Sequence, residues 1–512
     1  MITPENQSFR HIVNNPTLSA AQKARALSVE AENSLDYPML DEETQAALAA
    51  RVICDMFEGH APYKPRYVLP DYAVVLKNGS AWLELPVAQT LDEAIHTLMI
   101  AYHHVPSVTG MPVYIGQLDD LLLPYCDGVS DATLYQQLKL FWRYLDRVLP
   151  DAFMHANIGP TDNRVARMIL RVDAELQQIA PNLTFRYDPM ISSEEILRLA
   201  VTNITICSKP HIANHPLHRQ VFGGRGYGIV SCYNALPIQG GASTLTRVNL
   251  AKVAALSDGV EDFLTNKLPY YAELNFRLTQ ARVNYLFTES GFFESFLVSE
   301  GWLDKTRFTA MFGVFAMAEA VNALQDKAGK QGRYGFDAGA NALGRQISAR
   351  LEALVAARPL ENVWQGRAML HAQAGLSTDT GYTPGLRIPY GTEPDPVTHI
   401  RALAPHHQHY PSGISEILTL DETVKNNPEA VLDLCKGAFA SGFREFTANV
   451  GGNDLVRVTG YMIRLSDVAN FNAANGSRTN TTALGAEAAD LTDILQRKPR
   501  VVANELLAGG DQ

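Results

Sequence analysis

The chain has few cysteines and little charge of either sign. Only five of its 512 residues are cysteine, at 54, 126, 207, 232 and 435, and none form a C-x-x-C pair. An odd number of scattered cysteines excludes a disulfide framework and a Cys-rich zinc site, and fits a reducing cytoplasm. Charged residues make up 19% and the formal net charge is −11. That balance argues against a nucleic-acid surface, which needs clustered Lys and Arg. The opening MITPENQSFRHIVNN has no apolar core of a secretory signal, and no run of about 20 apolar residues could cross a membrane. There is no Walker A loop, no H-E-x-x-H helix and no G-x-S-x-G elbow. Hydrophobic residues at 46% are those of an ordinary globular chain.

The pattern that is present predicts an α/β architecture with a helical N-terminal region. LSAAQKARALSVEAEN, DEETQAALAARVICDMF, LDEAIHTLMIAYHH and ATLYQQLKLFWRYLDRVL have helical spacing. Ser192 and Glu195 read as a capping box before ILRLAVTNITICS. LTFRYDP, AMLHAQAGL and REFTANV read as strands, and GYGIVSCYNALPIQGGASTLTRVNL as strand, sharp loop and strand. Long helices are expected over 258–300 and 306–325, with FGVFAMAEAVNAL as a buried helix. Residues 376–415 are rich in Gly, Pro, Asp and Thr, a long loop of the kind that covers a site. Asn427-Pro428 begins a further helix that Gly442 ends.

Several residue groups could carry chemistry. His211, His215 and His218 in HIANHPLH could ligate zinc, which would make a metal-dependent hydrolase; otherwise they lie in a hydrogen-bonding loop. Glu319 and His371 lie in apolar surroundings, where an ionisable group needs a partner or a role. In RVTGYMIRL, glycine interrupts an extended run. On spacing alone it marks a bulge or a close backbone approach.

RVTGYMIRL also resembles the radical-bearing loop of the glycyl radical enzymes, which include pyruvate formate-lyase, glycerol and choline lyases and anaerobic ribonucleotide reductase. CDMFEGHAPYKPRYVLPDY, HHVPSVTGMPVYIGQLD, DAFMHANIGP, CSKPHIAN, GYGIVSCYNALP, EPDPVTHI and TANVGGNDLVRVTGYMIRLSD resemble the YjjI-type branch over nearly the whole length. The resemblance implies a ten-stranded α/β barrel of two half-barrels wrapped by helices. Residues 1–430 would hold the N-terminal region and the barrel; 431–512 would be the radical segment, packed in as one globular unit. Gly460 would store the radical. A cysteine at a loop tip inside the barrel would relay it as a thiyl. Cys232 fits best, after an apolar strand; Cys207, at the end of a helix, is the alternative.

The resemblance further implies no permanently bound cofactor or metal, a radical-SAM [4Fe-4S] activase as partner, a small polar substrate, no nucleic acid or membrane partner, and a homodimer. The chain departs from characterised branches. Cys232 has no adjacent cysteine, and Asn234 stands where the dehydratases carry a carboxylate. Glu319, His371 and Asn234 are therefore the candidate substrate-binding or acid/base residues. A non-catalytic binding protein on the same scaffold is the remaining reading.

Overall fold

Short apolar runs bounded by glycine, proline or helix caps fold as strands buried on both faces. The computed structural model describes residues 4–32, 34–55, 63–106, 113–149, 153–372, 381–458 and 461–473. In chain order the strands are β1 (Ile53–Asp55), β2 (Tyr67–Leu69), β3 (Tyr114–Gln117), β4 (His155–Ile158), β5 (Asn182–Tyr187), β6 (His211–Asn214), β7 (Tyr227–Val230), β8 (Asn234–Pro237), β9 (Gly240–Asn249), β10 (Phe308–Phe315), β11 (Met369–Ala372), β12 (Leu418–Leu420), β13 (Glu445–Phe446), β14 (Ala448–Val450), β15 (Leu455–Arg457) and β16 (Met462–Arg464).

Ten of them make two five-stranded sheets. In one, β9, β10 and β11 run parallel, and β1 and β2 pair antiparallel with β9. In the other, β3, β4, β5 and β6 run parallel in sequence order, and β13 pairs antiparallel with β6. These are the two halves of the expected α/β barrel. Parallel neighbours need crossover helices, and the helices Asp131–Val148, Arg164–Leu176 and Glu194–Cys207 supply them for the second sheet. Ser130, Asn163 and Ser193 cap these helices by accepting the backbone N–H of Thr133, Ala166 and Ile196. Helices Pro4–Asn14, Ala20–Glu32 and Glu42–Ala49 form the helical N-terminal region.

The structure corrects five local expectations. FGVFAMAEAVNAL is not one helix: its opening FGVF belongs to β10, Ala316 turns left-handed at φ 63°, and the helix starts at Met317. A strand buried on both faces is apolar throughout, so its period cannot distinguish it from a buried helix. The helix expected over 258–300 has its main run at Leu268–Thr288. The helix expected from DEETQAALAARVICDMF ends at Ala49, and its ICD tail is β1, which pairs with β9. The cap is Ser193 rather than Ser192, whose hydroxyl donates instead to the Pro160 carbonyl. HIAN is β6 rather than a loop.

Two hairpins stand apart from the sheets. β7 and β8 pair only with each other among the described residues. A Cβ at Gly228 would fall 2.7 Å from the Tyr114 ring and 2.9 Å from Leu69. Glycine here lets this finger press against β3 of one half-barrel and β2 of the other. β15 and β16 form the second hairpin, with Arg457 opposite Met462.

Candidate active site

Cys232 occupies the tip of the β7–β8 finger and is 3% exposed. Its neighbours Ser231 and Tyr233 hold φ of 50° and 62°. For residues with a side chain that region costs ~1–3 kcal/mol each, and such strain persists only where surroundings fix it. Here they do. Asn157 of β4 donates to the Ile229 carbonyl and accepts its N–H, both at 2.8 Å. Asn234 donates back to the Val230 carbonyl at 3.0 Å. The Ala235 N–H donates to the Ser412 carbonyl at 3.0 Å, and the Ser412 hydroxyl returns a bond to the Ala235 carbonyl at 3.1 Å.

The β15–β16 hairpin meets this tip. Its turn is closed by the Val458 N–H on the Tyr461 carbonyl at 3.2 Å. Thr459 and Gly460 lie outside the described residues, so the expectation for Gly460 falls there. Arg457 is fully buried and its guanidinium lies 5.5 Å from the Tyr233 ring centroid. It donates to the Ser208 carbonyl at 3.0 Å and the Asn182 side chain at 2.9 Å. The Val458 carbonyl accepts from Arg387 and from the Tyr390 hydroxyl, both at 3.3 Å. Arg387 and Tyr390 come from the Gly/Pro-rich segment expected to cover a site.

The Tyr233 ring stacks on His211 at 4.1 Å, and burial pushes its hydroxyl up to about 12. Beneath it, Thr184 links two imidazoles, at 2.6 Å to His155 and 2.9 Å to His211. Burial, and then the Arg457 charge, hold both histidines well below the usual imidazole range, so they are neutral. Tyr67, from β2, is also fully buried and interacts electrostatically with Cys232.

The other expected residues separate. His371 lies on β11, wholly buried. Its Nδ1 meets the Ser412 carbonyl at 3.0 Å, which makes Nδ1 the protonated nitrogen and leaves Nε2 an acceptor without a partner. Burial holds its pKa down to about 4. The Asn234 side-chain oxygen is likewise buried and unpartnered. Glu319 is half-buried at the start of the helix Met317–Lys327, where it accepts from the Thr383 N–H at 2.8 Å and from the Thr383 hydroxyl. It anchors a loop. Cys207 ends its helix as expected, packs on Leu455 and Met462, and is pushed up to about 12 by burial.

His211, His215 and His218 do not form a ligand set. His211 bonds Thr184, His215 meets the Tyr227 hydroxyl at 3.0 Å, and His218 lies 3.6 Å from Glu445. Among the described residues no three His, Cys, Asp or Glu side chains come together to hold a metal, so the zinc-hydrolase reading is withdrawn. Sequence reasoning missed Glu445, whose carboxyl is raised well above the usual range by burial, and the buried arginines 387 and 457. The one available signal was a charged residue inside an apolar strand or loop.

A family model described as "Glycyl radical enzyme YjjI-like" matches residues 18–500. The uncharacterized protein YjjI of Escherichia coli (strain K12) is 58% identical over 500 residues, covering 98% of this chain and 97% of that one. An uncharacterized protein of Haemophilus influenzae is 37% identical over 506 residues, covering 96% and 97%. Among solved structures, hydroxyproline dehydratase from Clostridioides difficile superposes with a TM-score of 0.71 at 12% identity, over 97% of this chain and 88% of that one. The B12-independent glycerol dehydratase from Clostridium butyricum gives 0.69 at 13%, over 98% and 89%. Anaerobic ribonucleotide reductase from Thermotoga maritima gives 0.65 at 12%, over 92% and 89%. At such identities the superpositions show the shared barrel, whereas the family match covers nearly the full chain. The chain belongs to the YjjI-like family of glycyl radical enzymes.

Proposed function

We propose that the protein stores a backbone radical on Gly460 and passes it to Cys232, whose thiyl takes hydrogen from a small polar metabolite. The observation that carries this reading is the contact between hairpins: Arg457, three residues before Gly460, lies over the ring of Tyr233, next to Cys232. A glycine suits radical storage because it has no side chain to crowd a planar Cα. The relay breaks the S–H bond of Cys232 as the glycyl C–H forms. The thiyl then forms S–H as the substrate C–H breaks, and the hydrogen returns at the end. Cys207 is the weaker relay: it sits among Ile179, Leu455 and Met462, at the base of the glycyl hairpin.

The radical segment is the part of the chain from residue 431 onward, which carries Gly460. The radical is installed by a separate radical-SAM [4Fe-4S] activase, and the enzyme works anaerobically in the cytoplasm as a homodimer. A proton acceptor or donor is needed beside the reacting carbon. His371 Nε2 and Asn234 Oδ1 are buried acceptors suited to hold substrate hydrogens. The reaction is an elimination, a bond cleavage or a reduction.

Oxygen cleaves a chain that carries a glycyl radical. Activated protein exposed to air should therefore show, by mass spectrometry, a cut at Gly460 that Gly460→Ala abolishes. An uncut chain after activation by an activase proven to consume S-adenosylmethionine would overturn the proposal and leave the binding-protein reading.

A further inference from the structure

Two buried cations near the tip of the cysteine finger have no counter-ion among the described residues. Arg387 and Arg457 are at most 1% exposed. Among the described residues neither lies within ion-pair distance of a carboxylate. Arg387 donates to neutral oxygens: the Ser415 carbonyl at 2.5 Å, the Ser415 hydroxyl at 3.0 Å, the Tyr390 hydroxyl and the Val458 carbonyl. Arg457 donates to Ser208 and Asn182, and its Nη2 has no partner. Both charges act on Tyr233, whose buried hydroxyl is also without a partner.

Among the described residues, the other titratable groups near Tyr233 do not balance them. His155 and His211 are neutral, and Glu445 accepts the Ile414 N–H beside His218 in surroundings that favour its protonated form. Burying a charge without a partner costs several kcal/mol even after relaxation. Two such charges and two orphaned donors, Arg457 Nη2 and Tyr233 OH, near Cys232, are the kind of groups an oxyanion site requires.

We propose that the substrate carries an oxyanion, a carboxylate or a phosphate, that seats beside Tyr233 on Arg457 Nη2 and the Tyr233 hydroxyl, within the field of Arg387. This rests on Cys232 being the reacting thiol. It narrows the substrate from any polar metabolite to an organic acid or a phosphate ester.

The test uses the full-length, radical-free protein in calorimetric titrations at constant ionic strength. Sodium acetate and inorganic phosphate are the probes, with acetamide and glycerol as neutral controls. One anion should bind with unit stoichiometry and the neutral probes should not. Tyr233→Phe, which removes one donor and no existing bond, should weaken binding about ten-fold or more. Arg457→Gln, checked for folding by its melting curve, should abolish it. Binding of acetate alone assigns a carboxylate, and of phosphate alone a phosphate ester. Absence of anion binding to the wild type, or equal binding by Tyr233→Phe, overturns the proposal. Because no radical is present, this result is separable from the fate of the glycyl radical reading.

Discussion

Asn157 ties the cysteine finger to the barrel wall, and removing its side chain gives the sharpest structural prediction. The amide makes two bonds of 2.8 Å with one residue of the finger, accepting the Ile229 N–H and donating to the Ile229 carbonyl. Asn157 and Ile229 are both wholly buried, so in Asn157→Ala neither backbone group has water to turn to. Leaving a buried polar group unsatisfied costs about 1–3 kcal/mol. Two such groups give about 2–6 kcal/mol, a large share of the 5–15 kcal/mol typical of a folded domain. Urea unfolding under reducing, anaerobic conditions should show a lower midpoint at unchanged slope. Amide exchange at Ile229 should accelerate while β5 and β6 stay protected. A loss under about 1 kcal/mol, with Ile229 still protected, would refute the idea that Asn157 holds the finger.

Three further outcomes follow from the same geometry. Gly413 has φ 102°, and a Cβ there would come 2.2 Å from the Tyr233 carbonyl and 2.6 Å from the Glu445 carboxylate. Gly413→Ala should lower the melting temperature by several degrees, and an unchanged melt would contradict that packing. His371 is held neutral with a folded pKa of about 4 against an ordinary value of 6.5. The unfolded chain takes up a proton first, so its contribution is complete above pH 6.5 and fades as pH falls towards 4. At 1.36 kcal/mol per unit the whole contribution is about 3 kcal/mol. His371→Gln should flatten the stability profile over pH 4–6.5, and a profile of unchanged slope there counts against it. Glu319→Gln keeps the oxygen that accepts from Thr383 and should preserve turnover. Glu319→Ala should raise hydrogen exchange at Thr383 itself, and the reverse pattern would place Glu319 in the chemistry.

The barrel was legible where sequence gave both a run and a boundary. LTFRYDP, AMLHAQAGL and the finger strands were readable because glycine, proline or a helix cap ended each one. Residues 308–327 were misread because β10 and the following helix are both apolar, and the left-handed Ala316 between them has no sequence signal. Gly460 is proposed from its motif alone, whereas the finger that carries Cys232 was legible as strand, loop and strand. The partners that fix the tip were not. Asn157, Thr184 and Arg387 act from other strands and from the 381–395 loop, and which strands are neighbours is a property of the sheet order. Glu319 stood out as an acid among apolar residues, yet its partner Thr383 lies 64 positions away. The spacing of the three histidines in HIANHPLH implied a cluster, but the turn from β6 into the helix His215–Phe222 directs them to different partners.

The central claim is that Gly460 holds the radical that Cys232 uses. The most direct test is a cryogenic electron paramagnetic resonance spectrum of the protein after anaerobic incubation with its activase, S-adenosylmethionine and a reductant. A glycyl doublet is expected in the wild type and in Cys232→Ala, since storage precedes relay, and no signal in Gly460→Ala. A doublet that survives Gly460→Ala, or no radical from an activase shown to be competent, would contradict it.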